Sequence, residues 1–232
     1  MEDEWEANLP WKTTAPDWCP SGVTGTRWLQ RLYQSATVKH NSTCKTVDHI
    51  GGNHDGGKVV CMSAFDADEA CLVYSLGSGN NFLFELEMSG RFGCEVHTFD
   101  CTIKSSPRLP VANKMITYHD LCVGANDTGK YRTLSTLRNT LGHADRRIDV
   151  LKMDIERHEY AVVASLPEEG LPQQILFEVH LHNGYGRWGR PVLRREWRAL
   201  WERLWHLNYT TFSYEPNPLC ACCCEFSMIR AR

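Results

Sequence analysis

Residues 71–81 read Cys-Leu-Val-Tyr-Ser-Leu-Gly-Ser-Gly-Asn-Asn, and residues 96–100 read Val-His-Thr-Phe-Asp. Few folds accommodate that succession: a buried strand, a glycine turn, a helix from about 81 to 90, then a second strand ending in an acid. It is the pattern of a nucleotide-type ligand laid across the carboxyl edge of a parallel sheet. Gly77 and Gly79 let the backbone bend and approach a ligand closely. The helix beyond them turns its unpaired N–H groups toward the same place, with Ser78, Asn81 and Phe82 at its entrance. Asp100, 23 positions after Gly77, suits the acid that binds both hydroxyls of a ribose. The spacing is G-x-G-x-x-x, with Phe82 where a dinucleotide site needs a third small residue to pack around a pyrophosphate. A cofactor without a pyrophosphate is therefore favoured, S-adenosylmethionine (SAM) first among them.

At 232 residues with 42% hydrophobic content, the chain suits one α/β domain with a short extension. Residues 1–57 read as an N-terminal arm and helix packing on the domain, and 58–232 as the domain itself. The net charge of −3 disfavours a nucleic-acid binder that works by global charge, and none is expected as a partner. No apolar run approaches the roughly 18–20 residues that cross a bilayer, and the acidic start is no signal peptide, so a soluble chain is expected. The oligomeric state stays open. Eleven cysteines are many for a cytosolic protein. Cys220, Cys222, Cys223 and Cys224 lack paired C-x-x-C knuckles, so a terminal strand of small apolar thiols is preferred over a zinc site. Sequons at Asn41, Asn126 and Asn208 leave a secretory-pathway lumen open beside the cytoplasm, for a longer precursor. A disulfide such as Cys44–Cys61 is expected only in the secretory case.

Strands are predicted at 71–76, 95–99, 115–118, 148–153, 174–180, 207–213 and 223–230. Helices are predicted at 24–36, 81–90, 133–141, 157–165 and 191–206. Strands separated by helices imply parallel pairing with right-handed crossovers. The last two have only a short turn between them and should form an antiparallel edge hairpin. The expected fold is a Rossmann-like, seven-stranded, mostly parallel sheet with helices on both faces and one reversed strand. In residues 187–205, Trp197, Trp201 and Trp205 recur beside leucines, among six arginines. That predicts an amphipathic helix with its Trp/Leu face on the sheet.

Residues 148–159 form a second constellation, a strand running into a helix with acids at its carboxyl end. Asp154 and Glu156 then face the same crevice as Gly77 and Asp100, and Glu178 and His180 come to the neighbouring edge from the next strand. Three readings stay open. Asp154, Glu178 and His180 can position a methyl acceptor and remove its proton, His180 or a carboxylate being the base. Asp154, Glu178 and His180 can instead ligate a divalent metal. They can also simply cap helices and bond to one another. Lys152, inside the strand, needs a partner, and Glu159 or Glu178 is expected to supply it. The glycine-rich loop at 183–189 can close Tyr185, Arg187 and Trp188 over an acceptor.

On these residues the chain resembles the FkbM-type SAM-dependent class I methyltransferases, and more closely the animal methyltransferase-like group. The resembling segments span about residues 58–230, and Lys152-x-Asp154-x-Glu156-x-x-Glu159 is the most specific of them. The resemblance implies SAM held by Gly77, Ser78, Gly79 and Asp100. It implies adenine flanked by Cys101 and Thr102 after the second strand and by Asp120 and Leu121 at the end of the third. The methyl acceptor would lie near Asp154 and Glu178, with Glu156 and His158 beside it. One departure stands out: Arg157-His158 replaces the family's small Gly-Ala pair, so acceptor identity does not transfer. The expected function is methyl transfer to a small or sugar-like acceptor, at oxygen. The alternatives are a SAM-binding protein of the same fold without catalysis, and a divalent-metal-dependent methyltransferase.

Overall fold

The computed structural model describes residues 44–52, 56–66, 68–109, 114–180, 194–217 and 223–231. Residues 1–43 of the expected N-terminal arm, with the helix at 24–36, and the loop bearing Tyr185, Arg187 and Trp188 lie outside them.

A seven-stranded sheet carries the molecule. Its members are β3 (Leu72–Leu76), β4 (Glu95–Phe99), β5 (Ile116–His119), β8 (Val150–Met153), β9 (Gln174–His180), β10 (Tyr209–Pro216) and β11 (Cys223–Arg230). The spatial order is β10-β11-β9-β8-β3-β4-β5. The five strands from β9 to β5 run parallel, and β11 is antiparallel to both its neighbours. The Rossmann-like sheet with one reversed strand and a C-terminal edge hairpin is thus the observed one. Two short strands, β6 (Cys122–Val123) and β7 (Tyr131–Arg132), pair on the rim.

Period-two alternation divides the sheet's side chains between two cores. Leu72, Tyr74 and Leu76 of β3 join Leu151 and Met153 of β8 in one core. Helices α2 (Leu134–Thr140), α3 (Glu159–Ala164) and α4 (Arg194–His206) cover that face. Val73 and Val150 look the other way, into a core closed by α1 (Leu83–Phe92) and the hairpin of β1 (Val47–Ile50) and β2 (Lys58–Cys61). On α4 the expected division holds: Trp197, Leu200, Trp201 and Leu204 are buried, while Arg195 and Arg198 are exposed. Trp201 meets Phe226 edge-on at 4.7 Å between ring centroids. Helix α1 begins two residues later than expected, with Phe82 at its N-cap, and the Asn81 side chain accepts the Leu83 N–H at 3.2 Å from the turn before it.

The β1–β2 hairpin spans the boundary expected at 57 and lies against β9 and β11. Gln174 holds both backbone groups of Cys61, accepting its N–H at 2.7 Å and donating to its carbonyl at 3.1 Å. Ser227 donates to the Val59 carbonyl at 2.7 Å. This seating delivers Lys58, 1% exposed, to the carboxyl end of the main sheet.

Three disulfides lie among the described residues: Cys44–Cys61, Cys71–Cys94 and Cys101–Cys122. The first fastens the segment before β1 to β2. The second joins β3 to β4 at their starts, and the third links the segments following β4 and β5. Cys223 is also disulfide-bonded, and Cys224 is a buried thiol in β11 that donates to the Glu215 carbonyl at 3.2 Å. The expected terminal strand is therefore correct for 223–230, but Cys223 is not a free thiol; Cys220 and Cys222 lie outside the described residues. Each cross-link closes a loop of 17 to 23 residues. In protein isolated from its native cells, alkylation before reduction should label none of these six cysteines, as read by peptide mass spectrometry. Reduction should lower the stability of the fold by about 2–4 kcal/mol per bridge.

Candidate active site

The carboxyl ends of β3, β4 and β8 meet at a cavity of about 450 Å³. Gly77 leaves β3 with φ of +77°, and a Cβ there would overlap the Asp154 carbonyl oxygen. Glycine is required by both conformation and space. The Gly77 N–H donates to the Phe99 carbonyl at 2.9 Å, and the Lys152 ammonium donates to the Gly77 carbonyl at 2.9 Å. Lys152 thus pairs with the turn and stands 3.9 Å from Glu85, correcting the expectation of Glu159 or Glu178. Glu85 is fully buried on α1 and takes the Ser75 hydroxyl. A charge beneath the sheet surface is what holds the turn.

Asp100 fastens the same turn from β4. Its Oδ2 accepts the N–H groups of Ser78 at 3.0 Å and Gly79 at 2.9 Å, and Oδ1 accepts the Thr102 N–H at 2.8 Å and hydroxyl at 2.6 Å. Burial opposes the charge, but these donors outweigh it and hold the carboxyl below its usual range.

The opposite wall is acidic. Asp154, Glu156, His158 and Glu178 line the cavity together with Tyr131. Tyr131 and His158 lie 5.5 Å apart between ring centroids. Glu156 and Arg157 take left-handed backbone, with φ of +52° and +81°. Non-glycine residues held there cost on the order of 1–3 kcal/mol each, and such strain concentrates at functional sites.

Behind the wall lies a buried charge cluster. The Lys58 ammonium is 2.8 Å from Glu225 and 3.4 Å from Asp154. Burial works against its charge, yet the two carboxylates overcome that and hold its pKa above the usual lysine value. Glu225 shifts the other way: burial exceeds the pull of Lys58 and pushes it up to about 8. Asp154 is held below its ordinary value, burial being outweighed by Lys58, Lys152 and His180. Ligand oxygens of Asp154, Glu178 and Glu225 converge within 4.8 Å of one another, the spacing of a cation site, and Lys58 already supplies a cation there. Among the described residues, Asp154, Glu178 and His180 do not converge as one set; Glu178 and His180 converge instead with the disulfide-bonded Cys223.

His180 lies 3.3 Å from Glu178, 3.5 Å from Glu159 and 3.6 Å from Glu156. Burial lowers its pKa, but Glu159 and Glu178 prevail and raise it to about 11. A histidine that keeps its proton at neutral pH is a poor general base, so the geometry gives His180 the part of a buried cation.

Of the expected cofactor residues, Gly77, Ser78, Gly79, Asn81 and Asp100 line the cavity. Phe82 is instead a core residue under Tyr118, and Cys101 is consumed in its disulfide. Asp120 sits at the surface paired with Lys130 at 2.6 Å, and Leu121 packs on the core. Cys122 and Val123, one and two positions beyond Leu121, line the cavity in their stead. Sequence reading missed them because β6 is two residues long and has no periodicity to detect. It also missed Lys58 and Glu225; the available signal was a lysine opening the apolar run Lys-Val-Val-Cys.

A family model described as a methyltransferase domain matches residues 13–230. The chain is 36% identical over 129 residues to the Homo sapiens protein named "Probable methyltransferase-like protein 24", covering 50% of this chain and 34% of that protein. The Rattus norvegicus protein of the same name is 35% identical over 126 residues, covering 48% and 33%. The matched stretch therefore spans about a third of these curated relatives. Among solved structures, Burkholderia thailandensis 1,6-didemethyltoxoflavin-N1-methyltransferase, with its substrate and S-adenosylhomocysteine, is 13% identical at a TM-score of 0.42, covering 71% of this chain and 72% of that one. The Methanococcus jannaschii fibrillarin pre-rRNA processing protein is 10% identical at 0.45, covering 69% and 66%.

Two outcomes test this geometry. Gly77→Ala should destabilise the fold by more than the roughly 1–2 kcal/mol of a left-handed Cβ alone, because the Asp154 peptide must also move; chemical denaturation measures it. For His180 the folded pKa lies above the unfolded one, so its stabilisation is complete below about pH 6.5 and is lost as pH rises toward about 11. The stability difference between the wild type and His180→Gln should shrink across that window, measured by unfolding at successive pH values.

Proposed function

We propose, because this chain belongs to the methyltransferase domain family matched over residues 13–230, that it transfers a methyl group from SAM to a small or sugar-like acceptor at oxygen. The reading rests on one observation above all: the glycine turn at Gly77 and an acidic wall at Asp154 and Glu178 share a single cavity.

The cavity fits a cofactor of this kind. Its volume of about 450 Å³ lies within the common range for small-ligand sites. Gly79 adds a second side-chain-free position on the turn, and Val123 offers an apolar surface to an adenine. Asp100 fixes the turn with Oδ2, and Oδ1 shares its capacity between Thr102 and a ribose hydroxyl. When bound, SAM supplies an electrophilic methyl group on sulfur.

The chain's own part is placement. Asp154, kept ionised by Lys58, Lys152 and His180, accepts the hydrogen bond of the attacking hydroxyl and aims it at the cavity. Fixing two reactants in a near-attack geometry lowers a barrier by roughly 7–11 kcal/mol, more than a single general base provides. Glu178 shares the contact, and its orientation is set by the Asn217 side-chain amide at 2.7 Å. Glu156 and His158 on their strained turn shape the acceptor's entrance. Lys58 is the countercharge of the cluster, a role a divalent ion would otherwise take.

The disulfides extend the proposal to location: the protein works in an oxidising compartment, since cytosolic thiol systems keep such pairs reduced.

Calorimetry should register SAM and S-adenosylhomocysteine but not NAD; NAD binding without any response to SAM would sink the cofactor assignment. Against a panel of hydroxylated small molecules and sugars, Asp154→Asn should keep cofactor affinity and lower S-adenosylhomocysteine release by about 10²-fold or more. Undiminished turnover would remove Asp154 from the mechanism.

A further inference from the structure

Three Asn-x-Ser/Thr triplets play no part in methyl transfer: Asn41-Ser-Thr, Asn126-Asp-Thr and Asn208-Tyr-Thr. Asn41 lies outside the described residues. Asn126 and Asn208 are both exposed, and both fall on turns, one between β6 and β7 and the other between α4 and β10. Neither carboxamide has a partner among the described residues, so neither is needed to hold its turn. At Asn208 the backbone does that work: φ is +63°, its N–H donates to the Trp205 carbonyl at 3.0 Å, and its carbonyl accepts the Ala231 N–H at 3.0 Å. The side-chain nitrogen is left free for chemistry at both positions.

Asn208 also occupies a particular place in the sheet. Strand β10 begins at the next residue, Tyr209, and is an edge strand whose only partner among the described strands is β11. A strand at the edge of a sheet invites pairing with another chain unless something guards it. A bulky hydrophilic group at the first turn before the strand is such a guard.

We propose that Asn126 and Asn208 carry N-linked glycans, and that the glycan on Asn208 shields the outer side of β10. The inference rests on the oxidising-compartment reading, because the sugar donor is met there. The donor is a lipid-linked oligosaccharyl diphosphate. A bond forms between the asparagine Nδ2 and the sugar C1 while the C1–oxygen bond to the diphosphate breaks. The lipid diphosphate departs with the electron pair, and the amide nitrogen gives up one proton. Thr128 and Thr210 provide the hydroxyl that the triplet requires, and the intervening Asp127 and Tyr209 place no proline between.

The test uses the full-length protein from animal cells, digested with peptide N-glycosidase in heavy-oxygen water and mapped by mass spectrometry. Both asparagines should return as aspartate carrying the heavy label, and Asn126→Gln and Asn208→Gln should each remove one step of the gel-mobility shift. An unmodified asparagine at either position overturns the assignment of that site. Alkylation mapping on the same sample separates the two failures. Intact disulfides with bare asparagines sink the glycans alone, whereas free thiols at the six cysteines sink the compartment reading and this inference with it. For the shielding role, Asn208→Gln should self-associate more than Asn126→Gln by light scattering, and equal behaviour of the two variants overturns it.

Discussion

The backbone of the Gly77 turn lies against the Asp154 peptide so closely that no side chain fits between them. The arrangement around the cavity follows from that contact. It fixes the ends of β3 and β8 relative to each other, which brings the turn and the acidic wall to face one space. Such closeness would drift without anchors, and two buried charges supply them. Lys152 rises from β8 to hold the Gly77 carbonyl, and Asp100 descends from β4 to hold the next two N–H groups. Each anchor is a full charge spent on backbone dipoles where solvent is scarce, the setting in which such bonds are strongest.

The acids behind the wall raise an energetic problem that the hairpin solves. Asp154, Glu178 and Glu225 are drawn together where burying an unpaired carboxylate would cost several kcal/mol. Lys58 enters from β2 and offsets part of that charge, and burial raises the pKa of Glu225 beside it. His180 plays the same part among Glu156, Glu159 and Glu178. Networks of this kind rarely stabilise a fold better than apolar packing does. Here the network's effect is to keep the Asp154 carboxyl below its ordinary pKa where it faces the cavity.

Much of this could be seen in the order of residues. The Gly77–Gly79 pair, Asp100 after a strand, and Asp154, Glu156 and Glu178 at strand ends are local patterns, and each reached the cavity. The elements were legible for the same reason: β3, β4, β8 and β9 are short apolar runs, and α4 repeats its tryptophans every fourth residue. Asp120 and Leu121 were carried over from the family resemblance, but here Asp120 stands in water beside Lys130, and the residues after it, starting with the disulfide-bonded Cys122, line the cavity. Phe82 sits one position before α1, where a rotation of the helix decides between cavity and core, and it took the core.

The sequence by itself determined the fold class and the end of the sheet at which the cavity opens, because periodicity and glycine placement act within a few residues. Tertiary structure alone decided which charges neighbour which. Lys58 and Glu225 are 167 positions apart and meet only when the hairpin is seated on β9 and β11. The protonation of His180 was decided in the same way: its carboxylate neighbours come from β9 and from the turn and helix after β8. A charge's state depends on distances in space, and no spacing along the chain encodes them.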